Sequence, residues 1–269
     1  MKKYTEEDLA KFERDEDGFL ICPTGDYTEI HSFVERCSFG ERCSFVERCS
    51  FGERCSFGER CSFGEFCSFG EFCSFGKWCI FGESCIFGEF CSFGKWCSFG
   101  KWCSFGEFCS FGEWCRFVAR CSFVEWCSFG EFCSFGKWCS FGKFCSFGKW
   151  CSFGKFCSFG ERCSFVERCS FVEWCSFGEF CRFGKRCSFE NGHKAKNDVY
   201  PLMSFGGFGS CNRTTYAFNC EDGIVIRCGC FCGSVAEFRE KVKKTHGDSQ
   251  LAKEYLMIAD LIELKWKDR

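Results

Sequence analysis

A six-residue repeat is the feature that most limits how this chain can fold. From His31 to Gly192 the hexad, typically Cys-Ser-Phe-Gly-Glu-Arg, recurs 27 times without a gap, with phenylalanine third in every unit and cysteine first in 26. Residues two apart in an extended chain share a face, so phenylalanine and cysteine point one way, and serine and the sixth residue the other. A period of six suits neither a helical heptad nor a closed barrel. A coil of three short strands would take three hexads, which predicts a solenoid.

The repeat also resembles that of a known family. Segment Phe39-Gly40-Glu41-Arg42-Cys43-Ser44 is similar to the unit of hexapeptide-repeat proteins, in which a large apolar residue precedes a small or acidic one, two variable ones and a small inward one. The resemblance implies a mainly β fold, a parallel left-handed β-helix with triangular coils of three hexads each. The handedness rests on the resemblance alone, because crossovers between parallel strands are normally right-handed. A flat or right-handed solenoid is the alternative.

Composition narrows the class of protein. Apolar residues make up 46% and charged residues 27% of the 269 residues, and no uncharged run approaches the length of a membrane span. We therefore expect neither a disordered polyelectrolyte nor a membrane partner. The net charge of −2 gives no reason to expect a nucleic-acid partner. Because residues 1–8 contain no apolar stretch typical of a signal peptide, we expect a cytoplasmic protein.

Three regions are predicted along the chain: a helical cap over 1–18, the β-helix over 19–192 and a small α+β module over 193–269. Thr5 is a plausible N-cap for the first helix. Extending the hexad phase upstream places Ile21 and Tyr27 at the phenylalanine position. The same phase places Phe19 and Gly25 at the cysteine position, so the first coil is expected to begin near Phe19.

The module shows ordinary strand and helix signals. Segments 214–220 and 224–228 alternate like strands around Glu221-Asp222-Gly223, which predicts a hairpin with Cys220 opposite Val225. A capping box at Ser234-Val235-Ala236-Glu237 predicts a helix to about Thr245.

A second helix is expected to follow at once. Gly247 would stop the first helix and Asp248 would cap the second, which runs to about Trp266. Its predicted apolar side consists of Leu251, Tyr255, Ile258, Leu261 and Ile262.

The repeat together with the tail has a further resemblance. An array followed by Glu221-Asp222-Gly223-Ile224, Arg227-Cys228-Gly229-Cys230-Phe231 and Thr245-His246-Gly247-Asp248 is similar nearly end to end to proteins of gut Firmicutes and their prophages. That group has no established activity, so the resemblance implies origin and architecture only.

The cysteines allow two interpretations. Buried thiols pack as small hydrophobic groups, and in-register strands hold them too far apart for unstrained disulfides, which favours a reduced, metal-free interior without a cofactor. The alternative is a metal-storing or electron-conducting rod that holds iron–sulfur clusters, zinc or copper on thiolate columns. The representative column for this alternative is Cys37, Cys55, Cys73, Cys91, Cys109, Cys127, Cys145, Cys163 and Cys181. In the tail, Cys228, Cys230 and Cys232 could share a face, although no fourth ligand is evident.

The outward sixth positions suggest an interface. Every third unit contributes to one column in which arginines at both ends flank a central aromatic set: Trp78, Trp96, Trp114, Phe132 and Trp150. Arg42 and Arg60 at one end mirror Arg168 and Arg186 at the other, as an antiparallel homodimer would require. Exposed aromatic patches of this size usually mark interfaces. Carbohydrate stacking and stacking between rungs are the alternatives.

The carboxylates of Glu161, Glu167 and Glu173 could then pair with the arginines of the second copy. No loop interrupts the repeats and the chain has only three histidines, so we expect no enzyme of the acyltransferase type found among hexapeptide-repeat proteins. The predicted function is a rigid, self-associating scaffold whose C-terminal module binds an unidentified protein partner.

Overall fold

The array folds as a mainly β, parallel solenoid of about nine coils of three hexads each, as predicted. The computed structural model describes residues 1–178, 180–184, 186–189, 193–194, 196, 202–209 and 214–266. Gly192, the predicted end of the array, lies outside the described residues. The handedness and the family resemblances stay predictions.

Each hexad contributes one very short strand that contains its second residue and its phenylalanine, and one further strand precedes the array and one follows it. In chain order the strands are β1 (Leu20–Cys22), β2 (Ser32–Phe33), β3 (Cys37–Phe39), β4 (Ser44–Phe45), β5 (Ser50–Phe51), β6 (Ser56–Phe57), β7 (Ser62–Phe63), β8 (Ser68–Phe69), β9 (Ser74–Phe75), β10 (Ile80–Phe81), β11 (Ile86–Phe87), β12 (Ser92–Phe93), β13 (Ser98–Phe99), β14 (Ser104–Phe105), β15 (Ser110–Phe111), β16 (Arg116–Phe117), β17 (Ser122–Phe123), β18 (Ser128–Phe129), β19 (Ser134–Phe135), β20 (Ser140–Phe141), β21 (Ser146–Phe147), β22 (Ser152–Phe153), β23 (Ser158–Phe159), β24 (Ser164–Phe165), β25 (Ser170–Phe171), β26 (Ser176–Phe177), β27 (Arg182–Phe183), β28 (Ser188–Phe189) and β29 (His193–Lys194).

Strands three units apart pair in parallel, which produces three sheets along the rod. Two sheets have ten strands and the third, which begins at β2, has nine. The register is constant, with Ser92 over Ser110 and Phe93 over Phe111, for example. At the C-terminal end β29 joins β28 in the antiparallel sense. Each coil therefore repeats the environment of the coil before it.

The phenylalanines fill the interior. The ring of Phe93 stacks on that of Phe111 in the next coil, with centroids 4.8 Å apart and planes 2° apart. It also meets Phe99 of its own coil edge-on, at 5.1 Å and 85°. Both arrangements are favourable for aromatic rings. Phe93 and Phe111 are each 4% exposed, which confirms the predicted burial.

The corners explain two hexad positions. Glycine at the fourth position does not take a positive φ, and valine replaces it in some units. The reason for glycine is a close approach, because a Cβ on Gly94 would lie 2.8 Å from the backbone carbon of Gly76. The left-handed residue is instead the sixth, such as Trp114 with φ of 62°. Its N–H donates to the carbonyl of Glu131 in the next coil, at 2.9 Å.

The N-terminal segment covers its end of the solenoid with little helix. Helix α1 spans only Glu6–Leu9, with Thr5 as its N-cap, as predicted. Tyr4 stacks on Tyr27, which occupies a phenylalanine position as expected. The prediction for Ile21 was wrong, because Cys22 pairs with Phe39 and Ile21 faces outward, 45% exposed.

The cause of that error is a local change of phase. Cys22 and Tyr27, both inward, are five residues apart, whereas inward phenylalanines in the array are six apart. The unit from Leu20 to Thr24 is therefore one residue short. Leu20, not Phe19, takes the cysteine position in the first strand.

The C-terminal region forms an antiparallel sheet in the order β30 (Leu202–Phe205), β31 (Thr215–Cys220), β32 (Gly223–Cys228) and β33 (Phe231–Ser234). Helices α2 (Val235–His246) and α3 (Gln250–Trp266) follow. The hairpin and the capping box of α2 are confirmed. The predicted register was wrong, since Cys220 pairs with Gly223 across a two-residue turn.

Two details of α3 also differ from the predictions. The Ser249 hydroxyl, not Asp248, accepts the hydrogen bond from the N–H of Ala252 that caps the helix. The buried side is formed by Tyr255, Ile258 and Ile262, whereas Leu261 is 50% exposed. Leu261 was therefore assigned to the wrong side of the helix.

The four-stranded sheet lies between the solenoid and the two helices. Phe218 on one face meets Phe189 of the last coil, with ring centroids 4.8 Å apart. Ala217 and Ile226 on the other face pack with Phe238 and Ile262 of the helices. Strand β31 is consequently buried along its whole length. No helix in the described part of the chain is both long and apolar enough to cross a membrane.

Candidate functional site

The thiols form continuous inward columns beside the phenylalanine rings. In the described residues every cysteine is free, and those of the array are 0–4% exposed. The thiol of Cys115 donates to the carbonyl oxygen of Gly94 in the preceding coil, with sulfur and oxygen 3.4 Å apart. Cys97 and Gly76 repeat this contact at 3.3 Å. Each such thiol thus satisfies a backbone carbonyl at the corner.

These surroundings favour the protonated thiol. Contact with the Cys115 thiol and burial raise the pKa of Cys97 to about 12. Likewise, contact with the Cys133 thiol and burial raise the pKa of Cys115 to about 12. A thiolate is the form that binds metals and attacks electrophiles. The thiols of Cys97 and Cys115 are therefore chemically quiet at neutral pH.

The metal alternative gains no support from side-chain placement. Among the described residues no group of three or more histidine, cysteine, aspartate or glutamate side chains is arranged to hold a metal ion. This includes the column from Cys37 to Cys181 and the tail thiols of Cys228, Cys230 and Cys232. A tetrahedral site draws four ligands to about 2.3 Å from the metal, and phenylalanine rings occupy the interior between the columns.

The predicted interface residues do form a ladder on the outside of one corner. We call Trp78, Trp96, Trp114, Phe132 and Trp150 the tryptophan ladder. The four tryptophans are 41–46% exposed and Phe132 is half-buried. Centroids lie 4.9 Å apart between Trp96 and Trp114, and 4.2 Å apart between Trp114 and Phe132. Because the ring faces contact neighbouring rings, it is the ring edges that the ladder presents to a partner.

Arginines close both ends of this ladder. The guanidinium of Arg60 lies 5.2 Å from the ring centroid of Trp78, and that of Arg168 lies 4.5 Å from Trp150. Both distances are typical of cation–π contacts. The near-palindrome seen in the sequence is therefore also a physical arrangement, with charged ends and an apolar middle.

Two of the three glutamates predicted to reach a second copy already have partners. Glu161 pairs with Lys143 at 3.4 Å, and Glu173 pairs with Lys155 at 2.7 Å. In the described residues the Glu167 side chain makes no ion pair. Exposed pairs of this kind contribute little to stability, so they could exchange partners at an interface.

The sequence analysis overlooked a second ladder of the same length. We call Phe72, Phe90, Phe108, Trp126 and Phe144 the phenylalanine ladder. Its rings stack at 4.9 Å between Phe72 and Phe90, and Arg54 and Arg162 lie over its two ends. Sorting the sixth positions into all three columns would have found it. The third column is interrupted by Ser84 and Arg120.

Helix α3 adds an apolar surface on the module. Met257, Leu261 and Leu264 are 64%, 50% and 74% exposed. Their spacing of four and three residues places them on one side of the helix. This stripe lies opposite the side that buries Ile258 and Ile262.

One protein family matches part of the array. The family, described as RNA-binding, Nab2-type zinc finger, matches residues 48–64, 73–88, 90–106, 102–118, 114–130, 126–142 and 138–154. These segments cover well under half of the chain. No curated protein and no solved structure matches the chain.

The zinc chemistry of such a family does not fit these segments. They contain no histidine, and their cysteines face the solenoid interior, where the thiols donate to backbone carbonyls. The match follows the regular spacing of cysteines, which here serves packing. No step that depends on zinc can be derived from this arrangement.

The match nevertheless corrects one prediction. The expectation of no nucleic-acid partner was wrong, because RNA binding is the stated property of the matching family. The physical weakness lay in the use of net charge. A total of −2 averages over the chain and conceals local clusters of arginine such as Arg168 and Arg186.

Proposed function

We propose that this protein is a non-enzymatic, rigid solenoid scaffold that self-associates through the tryptophan ladder and offers its C-terminal module to a protein partner. The observation that carries the proposal is the stack of outward rings from Trp96 to Trp150 on a rod whose coils share one register. Nine rungs about 4.8 Å apart give a length of about 43 Å. Such a face is long enough for an interface of about 800 Å² per partner.

Self-association is supported by the symmetry of the ladder. A two-fold axis perpendicular to the rod near Trp114 would bring Arg60 of one copy toward the region of Glu167 in the other. The exposed ring edges would meet in the middle and leave water together. Isologous contacts of this kind pair each patch with its own copy.

The association is tested by light scattering at micromolar concentrations. We expect a dimer for the natural protein and a monomer for the double variant Trp96→Glu, Trp114→Glu. The matched control is Phe90→Glu, Phe108→Glu, which alters the phenylalanine ladder to the same extent and should leave the dimer intact. A monomeric natural protein, or equal effects of both double variants, would remove the tryptophan ladder as the interface.

Partner binding by the module is supported by the exposed stripe of Met257, Leu261 and Leu264. Apolar side chains at this spacing suit a partner helix or groove. The expected result is that Leu261→Glu with Leu264→Glu abolishes recovery of a specific partner but preserves the melting temperature. The control variant, Glu263→Gln, lies on the same helix at an exposed position. Equal partner recovery by all forms would contradict this role.

RNA binding is a second candidate, favoured by the family match. A cleft of about 600 Å³ near the C-terminal end of the tryptophan ladder is lined by Trp150, Arg168 and Arg186. Guanidinium groups pair with phosphates, and an aromatic ring beside them suits a base.

The RNA candidate is tested by fluorescence anisotropy with a labelled 20-nucleotide oligouridine at several salt concentrations. Arg168→Ala with Arg186→Ala should weaken binding at least tenfold and flatten its salt dependence. The equivalent pair at the opposite end, Arg42→Ala with Arg60→Ala, is the control. Absence of binding at low salt would exclude this candidate.

A further inference from the structure

The N-terminal segment covers only two of the three sheet edges at its end of the rod. Over the sheet that starts with β1, the N–H of Ile21 donates to the carbonyl of Glu13 at 2.9 Å. Over the sheet that contains β4, the N–H of Asp26 donates to the carbonyl of Lys2 at 2.8 Å. In the described residues no segment forms such a rung over β2, the first strand of the nine-stranded sheet.

The uncovered edge presents unused hydrogen-bond donors. In the next coil of this sheet, the N–H groups of Ser50 and Gly52 donate to the carbonyls of His31 and Phe33, at 2.8 and 3.0 Å. The equivalent groups in the first coil belong to Ser32 and Val34. Within the described part of the chain neither backbone N–H makes a hydrogen bond. Such an edge is a ready template for another strand.

An apolar groove accompanies these donors. It has a volume of about 400 Å³, and Leu9, Phe12, Leu20, Phe33 and Val34 are among the residues that line it. Leu9 and Phe12 belong to the segment that crosses the end without pairing with β2. The groove thus combines a sheet edge with walls suited to an apolar side chain.

We propose that this edge binds an extended peptide segment of a partner protein as an added strand, with one apolar or aromatic side chain of the peptide placed over Phe33. Backbone carbonyls of the peptide would accept from Ser32 and Val34, and the groove would select the side chain, as in other strand-addition complexes. A second copy is a poorer occupant, because its array strands pair on both sides except at the two ends of the rod, and the C-terminal end is occupied by the four-stranded sheet, where Phe218 meets Phe189. The site is separate from the tryptophan ladder and does not depend on self-association.

The probe for the test is the array hexad itself, as the fluorescein-labelled peptide Ala-Ser-Phe-Gly-Glu-Arg with blocked ends. We expect saturable binding to the full chain by fluorescence anisotropy. Hydrogen exchange should slow at the amides of Ser32 and Val34 when the peptide is bound. A peptide with aspartate in place of its phenylalanine should bind at least tenfold more weakly.

A pair of variants tests the groove wall. Phe12→Asp should weaken peptide binding at least tenfold, whereas Lys11→Asp, an exposed neighbour outside the groove, should bind the peptide normally. Hydrogen exchange elsewhere in the array shows whether each variant is folded. No binding by the folded natural protein would overturn the proposal. So would protection of the two amides that rises with protein concentration without peptide, since that assigns the edge to a second copy.

Discussion

Two kinds of aromatic stack run along this rod, and they differ in what surrounds them. The inner rings of Phe93 and Phe111 lie 4.8 Å apart, and the outer rings of Trp96 and Trp114 lie 4.9 Å apart. The spacing is nearly equal because strand separation sets both. The inner rings are 4% exposed and the outer ones are 46% and 41% exposed.

The inner rings also have lateral neighbours. Phe93 meets Phe99 edge-on, whereas the ring contacts of Trp96 in the described residues lie along its own column. The backbone thus fixes the distance between rings, and burial decides how much a stack contributes to stability. We expect the inner stack to provide stability and the outer stack to leave an edge for binding.

The largest effect that we expect is a loss of stability in alkaline solution, caused by the thiols of the interior. Thiol contacts and burial raise the pKa of Cys97 and Cys115 to about 12, whereas a thiol in the unfolded chain ionises near 9. Between these values the unfolded state has lost protons that the folded state keeps, so stability falls as pH rises. Each such thiol contributes a slope of about 1.4 kcal/mol per pH unit.

Urea unfolding at pH 7 to 10 under reducing, anaerobic conditions measures this effect. We expect nearly constant stability up to about pH 8 and a steep decline above it. Cys97→Ala with Cys115→Ala should make the decline less steep. Stability that stays level to pH 10 would show that the thiols are not sequestered.

A charge placed in the inner stack is expected to have the next largest effect on stability. Phe111→Asp removes a buried ring and places a carboxylate where no cation is available, at an expected loss of about 4 kcal/mol or more. Thermal unfolding followed by circular dichroism tests it. Ser110→Asp, on the outward face of the same strand, is the control and should change stability by less than about 0.5 kcal/mol. Similar melting curves for the two variants would contradict the assignment of faces.

Substitutions of the corner glycines are expected to have a smaller effect on stability, and they test a single backbone contact. A Cβ on Gly136 would lie within overlap distance of the Val118 carbonyl oxygen, whereas one on Gly94 would lie 2.8 Å from Gly76. Gly136→Val should therefore cost more than Gly94→Val, with losses of about 1–3 kcal/mol from overpacking. Adding Val118→Gly to Gly136→Val gives the same corner as Gly94→Val, with a valine over a glycine, so it should reduce the loss to that of Gly94→Val. If the double variant melts no higher than Gly136→Val, the corner contact is not the cause.

The smallest effect is expected in the outer stack. Trp114→Ala removes stacking with Trp96 and Phe132 but leaves the core intact, so we expect a loss of about 0.5–1.5 kcal/mol in the monomer. Phe111→Ala, at the matched inner position, should cost about 3–5 kcal/mol. Denaturant titrations of the two variants measure both losses of stability, and therefore their ratio. Equal losses would mean that exposure does not separate the two stacks.

The period made most of the array predictable. Phenylalanine in every unit specified the core, and the length of a coil, three hexads, followed from three strands. The left-handed sixth residue could not be predicted, because arginine and tryptophan are not residues that favour positive φ. Here the hydrogen bond from the Trp114 N–H to Glu131 and the ring stack hold that conformation.

Irregular regions were less predictable because no repetition corrected an error. Ile21 was misplaced by a single missing residue, and the register of Cys220 depended on whether two or four residues separate it from its partner. The uncovered edge at β2 had no sequence signal, since it arises from where the N-terminal segment crosses the end. Among the outward positions, the tryptophan ladder was visible in the spacing, but the spacing could not decide whether its ring faces stack between rungs or bind a partner.

The constant register has a consequence for changes in repeat number. Because three hexads make one coil, loss or gain of three hexads together would shorten or lengthen the rod and keep every column in line. Loss or gain of a single hexad would instead move each later residue to the next corner of the triangle. The C-terminal module would then be turned by a third of a revolution relative to the N-terminal end, and the tryptophan ladder would continue into a different column. The direction in which the two ends face is therefore encoded in the remainder when the number of hexads is divided by three.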